Sequence, residues 1–119
     1  MYELLSVPWG GNENWPKLVK QVGMGSAWSI TSVFDVRKIK SVTVTYYARS
    51  GVERLVYKLA NDVDQFLSGY SDNDMTWSHS LPETNTTSIT HTIDVSNFDY
   101  IGIAPRDGGN MIWEIIDVT

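Results

Sequence analysis

Trp9 and Trp15 stand at the two edges of a short run made of Gly10, Gly11, Asn12, Glu13 and Asn14. An indole offers a rigid flat face, and the apolar C–H face of a pyranose ring stacks on such a surface. Amides and carboxylates beside it donate to and accept from the sugar hydroxyls. Trp9, Asn12, Asn14 and Trp15 therefore carry both halves of glycan recognition. Tyr70, Asp72 and Trp77 repeat the combination in and beside a second, longer loop. The competing account is packing, because tryptophans beside proline, here Pro8 and Pro16, often cap the open end of a β core.

Catalysis has less to work with. The chain has no cysteine and only two histidines, His79 and His91, neither with an acid at motif spacing. There is no Gly-x-Ser-x-Gly elbow and no His-Glu-x-x-His pair. His91 alternates with Ile89 and Ile93, which places it near the core rather than in the role of a general base. Gly23-x-Gly25 lacks the strand–helix context of a phosphate loop, and Asp72-Asn73-Asp74 lacks the glycine and closing glutamate of a calcium hand. A carboxylate pair for glycoside hydrolysis is decided by spatial separation, which sequence spacing does not give. The expectation is a protein that is not an enzyme.

The elements that must position these residues are short strands. Tyr2–Val7 reads as the first, ending at Pro8, and Lys17–Val22 as a strand or a single helical turn. Ala27–Phe34 alternates, with Trp28, Ile30, Ser32 and Phe34 on one side. Ser41–Arg49 is the clearest strand: Val42, Val44, Tyr46 and Ala48 face one way, and Ser41, Thr43, Thr45 and Tyr47 the other. Ser50-Gly51 reads as a tight turn into a hairpin partner, Val52–Ala60, with Leu55, Tyr57 and Leu59 toward the core. Asn61–Met75 is the longest irregular stretch, and loops of this length are usually functional or disordered. Thr76–Leu81 is a short strand. Thr87–Val95, Phe98–Ala104 and Asn110–Val118 then read as an antiparallel meander, broken at Ser96-Asn97 and at residues 105–109. The Asn85-Thr86-Thr87 triplet reads as a polar turn. If the strands alternate in direction, the connection after the first strand and the one at Asn61–Met75 share an end. Arg106, Asp107 and Asn110 then lie at the other end, beside Ser50-Gly51.

Eight or nine short alternating strands in 119 residues bury their apolar faces best as two packed layers. The expected fold is all-β, an antiparallel two-sheet β-sandwich forming one domain over residues 1–119. The formal charge of −5 works against binding to nucleic acid and to anionic membrane surfaces, and no apolar run is long enough for a spanning helix. Without cysteine the fold must hold by packing alone. The start, MYELLSVPWGG, shows no signal peptide. That suits either a chain made in the cytoplasm, as a phage structural protein is, or a module of a longer multidomain parent.

The run Phe34-Asp35-Val36-x-x-Ile39-Lys40-Ser41-Val42-Thr43-Val44, with Tyr47-Ala48-x-Ser50-Gly51 after it, resembles the middle of galactose-binding-like jelly rolls. Thr92–Ile103 and the closing Ile112-x-Glu114-Ile115 are similar to them as well. The resemblance is one of strand texture over most of the chain. It implies a jelly-roll sandwich of the carbohydrate-binding-module kind, including modules of phage tails and baseplates, with a glycan or polysaccharide as partner and an extracellular or virion-associated place of work. It also implies a structural calcium where the first and last strands meet, and Glu3 and Asp117 stand where its carboxylates would fall. Both also read as ordinary strand-end acids. The other functional class is a structural or assembly protein, a homo-oligomer or a component of a larger complex, in which the same aromatics form a protein interface.

Overall fold

A computed structural model describes residues 3–4, 15–24, 26–66, 79–105 and 111–119, with the backbone alone for 3–4, 23–24 and 26–29. Among the described residues there are nine strands: β1 (Glu3–Leu4), β2 (Lys17–Met24), β3 (Ser26–Asp35), β4 (Ser41–Ala48), β5 (Leu55–Ala60), β6 (His79–Ser80), β7 (Ile89–Asp94), β8 (Tyr100–Pro105) and β9 (Met111–Val118). They form a four-stranded sheet in the order β1-β9-β4-β7 and a five-stranded sheet in the order β2-β3-β8-β5-β6. Among the described residues the strand pairings are antiparallel except the short parallel contact of β1 with β9. The fold is the all-β two-sheet sandwich that the alternation dictates.

The alternation on β4 decides its packing. Val42, Val44, Tyr46 and Ala48 are fully buried, while Ser41, Thr43, Thr45 and Tyr47 are half-buried on the outer face. From the other layer Phe34, Leu55, Ile101 and Ile103 meet them, with Met111, Trp113 and Ile115 of β9 completing the core. Trp113 meets Phe34 edge-on, with ring centroids 6.2 Å apart at 87°, the arrangement that the ring quadrupoles favour. The Tyr46 hydroxyl escapes an unpaired burial by donating to the Pro82 carbonyl at 2.7 Å.

Two pairings differ from the sequence expectation. The last three long strands are not a meander: β7 pairs with β4 in one sheet, β8 with β3 and β5 in the other, and β9 returns to β4. Nor is β5 the hairpin partner of β4, because it lies in the opposite layer against β8 and β6. Side-chain alternation fixes which face of a strand is buried but says nothing about its neighbour. The Ser50-Gly51 turn, with Gly51 at φ 73°, therefore carries the chain across the sandwich instead of folding it back in one sheet.

The five-stranded sheet is also covered on its outer side. After β5 the chain makes a 3-10 turn, Val63–Gln65, capped by the Asp62 side chain, which accepts from the Asp64 amide. Phe66 then lies fully buried against Val33 and Ala60, over Gly102 of β8. Lys58 of β5, opposite Gly102 in register, donates to the Gln65 carbonyl and holds its ammonium 5.2 Å from the Phe66 ring centre. Both faces of β8 are consequently apolar, and Ile101-Gly102-Ile103-Ala104 reads as a continuous run rather than an alternating one.

Candidate functional site

Strand register defines one end of the sandwich. Lys17 lies opposite Asp35, Asp35 opposite Tyr100, and Tyr100 opposite Ala60, so that one row crosses β2, β3, β8 and β5. Lys17 is the residue at which β2 begins and Ala60 the residue at which β5 ends. One flanking residue of each aromatic-bearing connection, Lys17 after 5–16 and Ala60 before 61–78, thus stands in the same row. Residue 4, before the first connection, pairs with Trp113 in the other sheet. Pro105 and Met111, which flank residues 106–110, lie opposite Leu55 and Ala48 at the other end, beside the Ser50-Gly51 crossing.

Of the residues singled out for glycan contact, Trp15 is described. It is half-buried and packs against the main core, with Pro16 buried behind it. Trp9, Asn12, Asn14, Tyr70, Asp72 and Trp77 lie outside the described residues, as do Arg106, Asp107 and Asn110. Beside Lys17 a polar and aromatic group is assembled that the sequence reading did not single out. Asp35 accepts from the Arg37 backbone amide at 3.0 Å and from the Arg37 guanidinium at 2.6 to 3.1 Å. The guanidinium also lies 5.9 Å from the centre of the Tyr100 ring. Its hydrogen bonds, helped by the nearby Lys17 charge, hold the Asp35 carboxyl below the usual carboxylate range against the opposing effect of partial burial. Asp35 is therefore an acceptor at neutral pH and not a proton donor. On the next connection Asn61 accepts from the Asp99 amide at 3.1 Å, and Val36 donates to the Asp99 carbonyl at 2.9 Å, which ties these turns into one surface. The Asp-x-Arg spacing around the turn was the available sequence signal. The position of Tyr100 beside it depends on register, which no local pattern carries.

The other candidate residues fall elsewhere. β1 does meet β9, as the resemblance implies, but Glu3 is opposite Ile112, five residues before Asp117. At the rise of a strand this separates the two backbone positions by roughly 15 Å. Asp117 is exposed and opposite Thr43 on the outer face. Among the described residues, no three His, Asp or Glu side chains come together to hold a metal ion. His91 sits half-buried on β7 opposite Val44, on the inward side with Ile93. His79 is exposed and stacks on Tyr57, with centroids 4.9 Å apart and planes at 27°. Trp113 is fully buried, as expected of a strand tryptophan, and Tyr47 is half-buried on the outer face.

No protein-family model, no curated protein and no solved structure matches this chain.

Proposed function

We propose that this chain is a non-catalytic carbohydrate-binding module, a jelly roll of the galactose-binding-like kind that holds a glycan or polysaccharide at the Trp15 end of its sandwich. The observation that carries the reading is the row Lys17–Asp35–Tyr100–Ala60, which anchors both aromatic-bearing connections at one end of a rigid scaffold. Sites built from loops on such a scaffold are the usual arrangement for recognition. Trp15, half-buried against the core, supplies one stacking face; Trp9, Tyr70 and Trp77 supply others. Asn12, Asn14 and Asp72 take hydroxyls, with Asp35 and Arg37 close to the same row. One shallow site of this kind binds in the range of about micromolar to millimolar, and useful attachment comes from several copies acting together. That suits host attachment by a virion or anchoring of a parent protein to a polysaccharide.

A tryptophan-fluorescence titration with mono- and polysaccharides tests this. A saturable shift that disappears in Trp15→Ala supports the site, and a flat response across the panel overturns it.

A second reading, an assembly protein with protein partners, is favoured by one observation. Leu18 and Val19 on the edge strand β2 are 42% and 44% exposed, and the open edge of a sheet is a template for pairing with another chain. A light-scattering mass above the monomer, abolished by Val19→Lys, would identify that role.

A further inference from the structure

At the end of the sandwich opposite Trp15 lies an open groove of about 310 Å³, lined by Val52, Glu83, Thr84, Asn85, Thr87 and Ile89. Its walls are fixed from both sides. Glu53 and Thr84 form a bridge, exchanging backbone hydrogen bonds of 2.9 and 2.8 Å, and the Asn85 carbonyl accepts from the Ala48 amide at 2.7 Å. The Thr84 hydroxyl donates to the Thr87 carbonyl, and the Asn85 Oδ1 accepts from the Thr87 amide at 3.2 Å. These bonds leave the groove pre-formed, which lowers the ordering cost of filling it.

The lining has a divided chemistry. Val52, 60% exposed, and Ile89 form an apolar wall, while Asn85 and Thr87 are exposed and bring an amide and a hydroxyl. Glu83 is the one ionisable side chain in the lining, and it is paired with the Arg54 guanidinium, so the groove carries no net charge. A charged ligand would find no uncompensated partner there. A ring with one apolar face and a rim of hydroxyls would find both of its surfaces matched.

We propose that this groove is a second glycan contact that takes a single neutral pyranose, its C–H face against Val52 and Ile89 and its hydroxyls toward the Asn85 Nδ2, the Thr87 hydroxyl and the Glu83 carboxylate. It rests on the carbohydrate-binding reading above and adds a site at the far end of the molecule. Two sites facing apart would let one domain bridge two chains of a polysaccharide.

The test is a residue-resolved NMR titration of the 15N-labelled protein with neutral monosaccharides up to tens of millimolar, with N-acetylneuraminic acid and glucosamine as charged comparisons. Saturable amide shifts at Val52, Asn85, Thr87 and Ile89, given by a neutral sugar and about tenfold weaker in both Val52→Asp and Asn85→Asp, support it. Asn85→Asp keeps the oxygen that accepts from Thr87 and removes the amide donor, so a dispersed spectrum and unchanged melting temperature separate loss of contact from loss of fold. Shifts confined to Trp15 and its neighbours overturn the groove and leave the first site standing. Equal shifts from the charged sugars overturn the assignment of a neutral ligand. No shift at either end overturns both sites together.

Discussion

Gly102 is where the fold leaves the least room. A methyl group built on it would lie 2.6 and 2.8 Å from two carbons of the Phe66 ring and 3.0 Å from the Thr31 methyl. Gly102→Ala must therefore displace a fully buried phenylalanine that covers the outer face of β8. Overpacking of this kind costs about 1–3 kcal/mol, set against a gain of roughly 0.5–1 kcal/mol from replacing glycine inside a strand. The expected net loss is about 1–2 kcal/mol. Phe66→Ala alone should cost about 3–5 kcal/mol. In that background the alanine methyl at 102 enters vacated space, so Gly102→Ala should become neutral or slightly stabilising. The double-mutant cycle then shows a coupling of about 2 kcal/mol of opposite sign to the single losses. Urea unfolding followed by circular dichroism reads all four corners on one scale. Phe66 also stands four residues before Tyr70 on the connection that carries Tyr70, Asp72 and Trp77, so both single variants should weaken the proposed glycan binding through that connection. Additive losses, or a Gly102→Ala protein as stable as the parent, would refute the packing argument.

Two further outcomes follow from the core and from the strand register. Burial pushes the Tyr46 hydroxyl up to about 12 and raises Tyr57 as well. Since the unfolded chain ionises these groups near 10, stability is complete below that pH and falls between about 10 and 12. Tyr46→Phe should remove the Tyr46 part of that alkaline loss and cost about 1 kcal/mol at neutral pH by leaving the Pro82 carbonyl without its donor, measured by unfolding at pH 7 and pH 11. With Glu3 on β1 opposite Ile112, five residues from Asp117, millimolar calcium and a chelator should give the same melting temperature by differential scanning fluorimetry. A rise with calcium that Asp117→Asn abolishes would show that the carboxylates do share an ion.

The layers were legible because alternation is a local property. Val42, Val44, Tyr46 and Ala48 declare a buried face without reference to any other strand, and the same logic places Leu55 inside. Partners were not legible, because β7, β8 and β9 follow one another closely in sequence yet alternate between sheets. A short turn signal after an alternating run reads equally well as a hairpin or as a crossing. The cover on the five-stranded sheet was hidden for a different reason. Phe66 is a single aromatic in a polar stretch, and its burial depends on the bare backbone at Gly102 beneath it and on Val33 and Ala60 beside it. At the candidate site, the common row of Lys17 and Ala60 followed from counting strand reversals. The Asp35–Arg37–Tyr100 group did not, since Tyr100 reaches it through pairing with β3.

The most direct measurement of the central claim is affinity electrophoresis of the native protein through gels cast with a panel of soluble polysaccharides, with Trp15→Ala, Trp9→Ala and Trp77→Ala alongside at matched melting temperature. The account predicts retardation of the parent protein in at least one gel, with Trp15→Ala migrating as it does in plain gel. Retardation that survives in all three variants, or parent mobility unchanged in every gel, would contradict it.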